Sequence, residues 1–263
     1  TEGSSRGSRW TAAWMRGHAR RPGSARVPAL DEALGAADAL IENFRGSRYT
    51  DESRPATVLL ETMRLVAADL ACTRSGRPIF SGMTFSVAAG EAMVLTGRNG
   101  AGKSSLLLML AGLLEPAGGR IALEPDDGER TVPEQSHYLG HRDALKPGLT
   151  PRETLAFWQG LLGAPRAGIE AALEPMGLGH AIDLPCAYLS AGQRRRLAIA
   201  RLLASWRPLW LLDEPTSALD AASQELFDTI VEEHLAAGGL VIAATHMPLG
   251  FRTNHRLVVG DGR

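Results

Sequence analysis

The sequence predicts an α/β fold organised on a largely parallel sheet. From Met63 onward, short apolar runs alternate with segments of helical period, the pattern of strands joined by helices. The run AMVLT leads directly into GRNGAGKSS, a glycine-rich loop that opens a helix pattern. In sheets of this kind ligands bind at the carboxyl ends of the strands, so the residues there carry the most functional weight. Hydrophobic residues make up 44% of the 263 residues and charged residues 22%, enough for a sizeable core. A net charge of -1 and a pI near 6.6 argue against a strongly basic nucleic-acid binder. Two cysteines, Cys72 and Cys186, are too few for a disulfide framework or a thiolate metal cage, and fit a reducing compartment. The run LLLMLAGLL is too short to cross a bilayer, and the first residues lack the apolar core of a secretory signal. A membrane role would therefore need a second, spanning chain.

Taken in order, residues 1–62 come first and differ in texture. They carry Arg6, Arg9, Arg16, Arg20, Arg21 and Arg26 against Glu2, with abundant Gly, Ser and Ala. Such a composition buries little apolar area and predicts disorder. The segment is expected to be an extension outside the working protein, with Met63 as a start; a basic arm toward anionic lipid or nucleic acid is the competing reading. Leu30, Leu34, Ala37, Ile41 and Phe44 recur at helical spacing and predict one short amphipathic helix within it. Residues 63–263 are the expected folded domain. LVAADL, MTFSVAAG and AMVLTG read as strands, and a helix follows from Lys103. Further strands are expected near 136–140, 209–212, 240–244 and 256–259, with helices around 151–162, 191–204 and 221–237.

GRNGAGKSS fits G-x-x-x-x-G-K-[ST] with Gly97, Gly102, Lys103 and Ser104. The glycines, Gly97, Gly100 and Gly102, let the backbone curl so that the N–H groups of the stretch from Arg98, Asn99 and Ala101 to Ser105 face phosphate oxygens, with the helix N-terminus adding positive dipole. Lys103 is a point charge for the outer phosphates, and the Ser104 hydroxyl suits Mg²⁺. The chemistry implied is binding of a nucleoside triphosphate. WLLDEP at 210–215 ends an apolar strand in two acids. Asp213 suits the Mg²⁺ shell and Glu214 the attacking water as general base; a lone acidic pair would instead be a solvated turn. LSAGQ at 189–193 precedes RRRLAIARLL and, alone, is an ordinary helix start with Ser190 as N-cap.

The order of these pieces resembles the ATP-binding cassette (ABC) family over essentially all of 63–263. SALD at 217–220 resembles its D-loop, and ATH ending at His246 resembles its switch histidine. The resemblance implies an ABC nucleotide-binding domain with an antiparallel β subdomain and a helical subdomain at about 146–205. It implies ATP and Mg²⁺ as cofactors and a homodimer in which two cassettes sandwich two ATP molecules. Ser190, Gly192 and Gln193 of one chain would then approach the γ-phosphate bound to the other, with Asp220 at the same interface. His246 would contact the γ-phosphate held by its own chain. Arg194, Arg195 and Arg196 read as a solvated helix face rather than a nucleic-acid patch.

Two positions depart from the general family pattern. His141, in YLGHRDALKPGLT, stands where most cassettes carry a glutamine that senses Mg²⁺ and water. No adenine-stacking aromatic accompanies SGRP at 75–78; Arg74 is the candidate in its place, through its guanidinium plane, so preference for ATP over GTP is less fixed than triphosphate binding. LGH, LSAGQRRR, the tryptophan before LLDEP and THMPL resemble the ATP-binding export family of cytochrome c biogenesis, the CcmA family. That resemblance implies an integral membrane subunit of the CcmB type and haem-delivery proteins as partners. It also implies a peripheral place on the cytoplasmic face of the bacterial inner membrane, and hydrolysis linked to release of a haem-loaded chaperone. No C-x-x-C-H is present, and His137, His141 and His180 are not a haem ligand set, so haem is expected to be handled by the partners. The alternatives are an ABC ATPase with another cargo, or a cassette acting on ribosomes or DNA; the near-neutral charge counts against the latter.

Overall fold

The computed structural model describes residues 62–126, 128–163 and 167–260. The extension and its expected amphipathic helix lie outside the described residues. Among the described residues no helix is long and apolar enough to cross a membrane.

The described residues open with a hairpin. β1 (Arg64–Arg74) and β2 (Arg77–Ala88) pair antiparallel, closed by Ser75 and Gly76 at φ 49° and 74°. Two consecutive positive φ values are the signature of a two-residue turn whose twist matches the strands. β4 (Gly118–Glu124) joins the other edge of β1, giving a three-stranded antiparallel sheet of order β2-β1-β4. This strand is absent from the sequence reading: GGRIALE begins on two glycines and buries only Leu123 fully, so it carries neither alternation nor an apolar run.

The second sheet positions the site. β3 (Ala92–Thr96), β5 (Ser136–Leu139), β6 (Leu209–Asp213), β7 (Leu240–Ala244) and β8 (His255–Val258) run parallel in the order β5-β6-β7-β3-β8. The three central strands are buried along nearly their whole length, as expected where both faces of a parallel sheet are covered. Side chains alternate between two cores. Trp210, Leu212, Val241 and Ala243 join the core beneath the helices. Leu209, Leu211, Leu240 and Ile242 join the core shared with β1 and the helix after the glycine loop. Because β3, β5, β6 and β7 are parallel neighbours, their carboxyl ends open onto one edge.

The helices follow the expected starts. α1 (Lys103–Leu110) begins after Gly102, which adopts φ 105°. α2 (Pro151–Leu162) has Thr150 as N-cap in a reciprocal capping box with Glu153, and Pro151 at its first position. α3 (Ile169–Leu173), five residues long, is too short to show a period in the sequence and was not expected. α4 (Ala191–Ala204) repeats the capping box with Ser190 and Gln193. α5 (Ala221–Ala236) is capped by Asp220, whose Oδ1 accepts from Ser223 N at 2.8 Å.

Candidate nucleotide-binding and catalytic site

Four loops meet at the carboxyl edge of the parallel sheet. The loop after β3 is the glycine-rich 97–102. Gly97 sits at φ 136°, and a Cβ there would lie 2.4 Å from Val259 O. At Gly102 a Cβ would lie 2.6 Å from Ile79 Cγ2. Backbone conformation and space both exclude a side chain at these two positions. Lys103 Nζ donates to Gly97 O at 2.8 Å and Arg98 O at 3.2 Å, so the ammonium lies across the mouth of the loop that its own helix follows.

The loop after β6 carries the acids. Strand alternation points Asp213 to the same face as Leu209 and Leu211, the face covered by α1. The Ser104 hydroxyl lies close enough to its carboxylate to stabilise the ionised form. Burial pushes the Asp213 carboxyl above the usual range and Glu214 adds repulsion; the Ser104 hydroxyl, His141 and Arg195 hold it down. Glu214 is not the next strand residue. Its φ of 47° takes it off the strand, while its N–H donates to Ala244 O at 2.8 Å on the neighbouring β7. The two acids are thus separated by a backbone turn and not only by the pleat.

The loop after β7 closes on Glu214. Its Oε1 accepts from His246 Nδ1 at 2.9 Å and its Oε2 from Thr245 Oγ1 at 3.1 Å. An ionised carboxylate only accepts, so the Nδ1 of His246 carries the proton and Nε2 points away from Glu214. Glu214 is partly exposed and His246 largely so, leaving the pair open to a reactant. The loop after β5 brings exposed His141 close enough to Asp213 to influence its charge.

The sequence-predicted residues thus fall into two groups. Gly97 to Ser105, Asp213, Glu214, His246 and His141 gather on this edge. Ser190, Gly192, Gln193 and Asp220 do not join them within the chain. Ser190 and Gln193 bond to one another at the start of α4, Gly192 lies against the SALD loop with a Cβ position 3.4 Å from Ala218 O, and Asp220 caps α5. One sequence expectation is corrected. Arg195 is not on a solvated face: it is 2% exposed and bonded beneath the His141 loop. The signal was available, since Arg195, Ala198 and Leu202 share one stripe at i, i+3 and i+7.

The family model for ABC transporters matches residues 80–217. Cytochrome c biogenesis ATP-binding export proteins CcmA are 54% identical over 198 residues in Bradyrhizobium diazoefficiens, covering 75% of this chain and 99% of the relative. In Rhodopseudomonas palustris strain BisB5 the identity is 58% over 188 residues, covering 72% and 94%. The chain belongs to the CcmA family of ABC ATPases. Among solved structures, an ATP-binding subunit of an ABC transporter superposes with TM-score 0.62 at 28% identity, over 70% of this chain and 79% of that one. An ABC transporter ATP-binding protein from Pyrococcus furiosus gives TM-score 0.63 at 20% identity, covering 74% and 97%, a likeness of fold. As an ABC ATPase, the cassette takes ATP as its nucleotide. The Ser104–Asp213 pair places two hard oxygen donors together at the phosphate loop, a set that suits Mg²⁺. Among the described residues no cluster of three or more His, Cys, Asp or Glu could cage a metal by itself.

Proposed function

We propose that the chain is the ATP-hydrolysing subunit of an ABC complex in cytochrome c biogenesis, driving a separate membrane subunit of the CcmB type and the release of a haem-loaded chaperone. The observation that carries the hydrolytic half is the junction of Ser104–Asp213 with Glu214–His246 on one sheet edge. The high identity to CcmA proteins supports the haem and cytochrome half.

The residues divide the work. Lys103 and the loop N–H groups bind and orient the triphosphate. Ser104 and Asp213 would hold Mg²⁺, which supplies charge neutralisation on the β- and γ-oxygens when bound. Glu214 accepts the proton of the attacking water, and its two hydrogen bonds from Thr245 and His246 fix which lone pairs remain for it. In its imidazolium form, with both ring nitrogens carrying protons, His246 would donate through Nε2 toward a γ-phosphate oxygen while Nδ1 keeps Glu214, and His141 reads the same region from the β5 loop. Ser190, Gly192, Gln193 and Asp220, left out of the chain's own cluster, would serve the nucleotide of a second cassette. The protein would act as a peripheral subunit on the cytoplasmic face of the inner membrane, with no nucleic acid involved.

The test is purification of the full chain from membranes together with c-type cytochrome measurement in a strain lacking it. Recovery with a small integral membrane protein and loss of c-type cytochromes are expected. Normal cytochrome levels would exclude the haem assignment, and a salt-sensitive ribosome or DNA complex in place of the membrane partner would overturn the transport reading.

A further inference from the structure

Arg195 lies on the inner face of α4, and all five of its N–H donors have an acceptor. Nε donates to Pro215 O at 2.9 Å. One terminal nitrogen donates to Gly140 O at 2.8 Å and to Asp143 Oδ1 at 3.1 Å. The other donates to Glu214 O at 2.7 Å and Asp213 O at 3.3 Å. A guanidinium offers five donors in a fixed planar fork, and this site uses the whole fork. The acceptors come from two separate loops. Asp213, Glu214 and Pro215 are the acidic strand end; Gly140 and Asp143 bracket His141. The side chain is 2% exposed, and its carboxylate partner Asp143 is 23% exposed. A buried charge held mostly by backbone carbonyls is costly to place, which makes its geometry hard to exchange for a looser one.

A second buried arginine extends the contact. Arg201, two turns further along α4, donates to Tyr138 O at 2.7 Å and stacks its guanidinium 4.5 Å from the Trp158 ring of α2. β5 and the His141 loop are therefore held to α4 at two points, while Arg195 alone also reaches the β6 end.

We propose that Arg195 is a positioning residue for hydrolysis: it locks the loop bearing His141 to the strand end bearing Asp213 and Glu214, so that the three groups keep one mutual arrangement. The inference rests on the reading of Glu214 as general base. Arg195 touches no reactant in this role; it acts through the two loops it joins. Removing the fork would leave the phosphate loop and its Lys103 intact, so nucleotide would still bind, but the groups around the attacking water would lose their register. Displacements on the order of 1 Å at a reacting centre cost up to about a hundredfold in rate.

The experiment measures ATP turnover per bound nucleotide, kcat and KM in the full chain carrying Arg195→Lys, which keeps the charge but loses the five-donor fork, and separately Asp143→Asn, which keeps every carbonyl bond. For Arg195→Lys, kcat is expected to fall about tenfold to a hundredfold with KM for ATP changed less than about threefold. For Asp143→Asn a smaller fall in kcat, about threefold to tenfold, is expected with the same unchanged KM. A merely structural role would lower the number of nucleotide-binding sites and leave turnover per site unchanged; that result overturns the proposal. Should Arg195→Lys not fold, Asp143→Asn decides alone, and wild-type kcat in it counts against the proposal. Glu214→Gln in the same assay separates the two layers. If it hydrolyses normally, the reading of Glu214 fails. If it is inactive while Arg195→Lys is not, only the positioning role fails.

Discussion

Glu214 carries two hydrogen bonds on its carboxylate, one on each oxygen, from His246 Nδ1 and Thr245 Oγ1. An amide at this position keeps an acceptor for one of them but cannot take a proton from water. Glu214→Gln is therefore expected to bind ATP with near wild-type affinity and to lose about a hundredfold to ten-thousandfold in turnover, measured by phosphate release under saturating ATP. Lys103 gives the complementary case. Its ammonium is already aimed across the phosphate loop by Gly97 O and Arg98 O. A charge-assisted hydrogen bond contributes about 1.5–3 kcal/mol, so Lys103→Ala is expected to weaken nucleotide binding by about tenfold to a hundredfold in a titration, with the fold intact. Both residues were legible in the sequence because the backbone writes its needs in residue type. Only glycine fits at Gly97 and Gly102, and an apolar strand tolerates terminal acids only where they have partners. Arg195 was hidden for the opposite reason. Three adjacent arginines read as surface charge, and which of them turns inward depends on the helix phase and on carbonyls from loops 18 to 55 residues away in sequence.

At the scale of elements, the order of strands and helices was readable because the central strands are buried on both faces and become plain apolar runs. β4 escaped because it is built on the edge of a small sheet, where glycine and half-burial leave no period. The sheet order was not readable either. That β7 lies between β6 and β3, and so brings His246 to Glu214, follows from tertiary packing and not from spacing. The loop after β7 has its own anchor. Asp228 on α5 lies against it, its Oδ2 2.1 Å from where a Cβ on Gly250 would stand; burial pushes its carboxyl above the ordinary range, the backbone N–H groups of Gly250 and Phe251 lower it, and Glu232 and Glu225 add repulsion. A raised native value means the folded state holds the proton more tightly than the unfolded chain. The contribution to stability is complete below the ordinary carboxylate value and is lost as pH rises through the native one. At neutral pH the ionised, buried form thus costs stability. Asp228→Asn keeps an oxygen acceptor and removes the charge, so its melting temperature at pH 7 is expected to equal or exceed that of wild type by a few degrees, the difference closing near pH 3. Asp228→Ala removes the acceptor and is expected to melt lower at both pH values. A lower melting temperature for Asp228→Asn at pH 7 would mean that the ionised form is needed to hold the loop.

At the scale of the whole molecule, the residues predicted for the site lie in two places. Lys103, Asp213, Glu214 and His246 lie on the sheet edge, whereas Ser190 and Gly192 open α4 beside the SALD loop. The start of α4 has the properties of an anion site: a small-residue turn, N–H groups at a helix N-terminus, and Arg194 in its first turn. Ser190 and Gln193 hold each other in a capping box, and Gly192 between them has no side chain to keep a phosphate from the backbone. If each such turn completes the site of a second copy, nucleotide is the bridge between the two chains, and its affinity for the pair exceeds that for either half. Association should then depend on nucleotide that persists. Glu214→Gln, which binds ATP but consumes it slowly, is expected to shift from monomer toward dimer in size-exclusion chromatography with light scattering when ATP and Mg²⁺ are added. Adding Gly192→Asp to that variant places an anion beside the arriving phosphate and should abolish the shift while ATP binding to the monomer persists. A dimer that forms equally without nucleotide, or that survives the second substitution, would place the contact elsewhere on the surface.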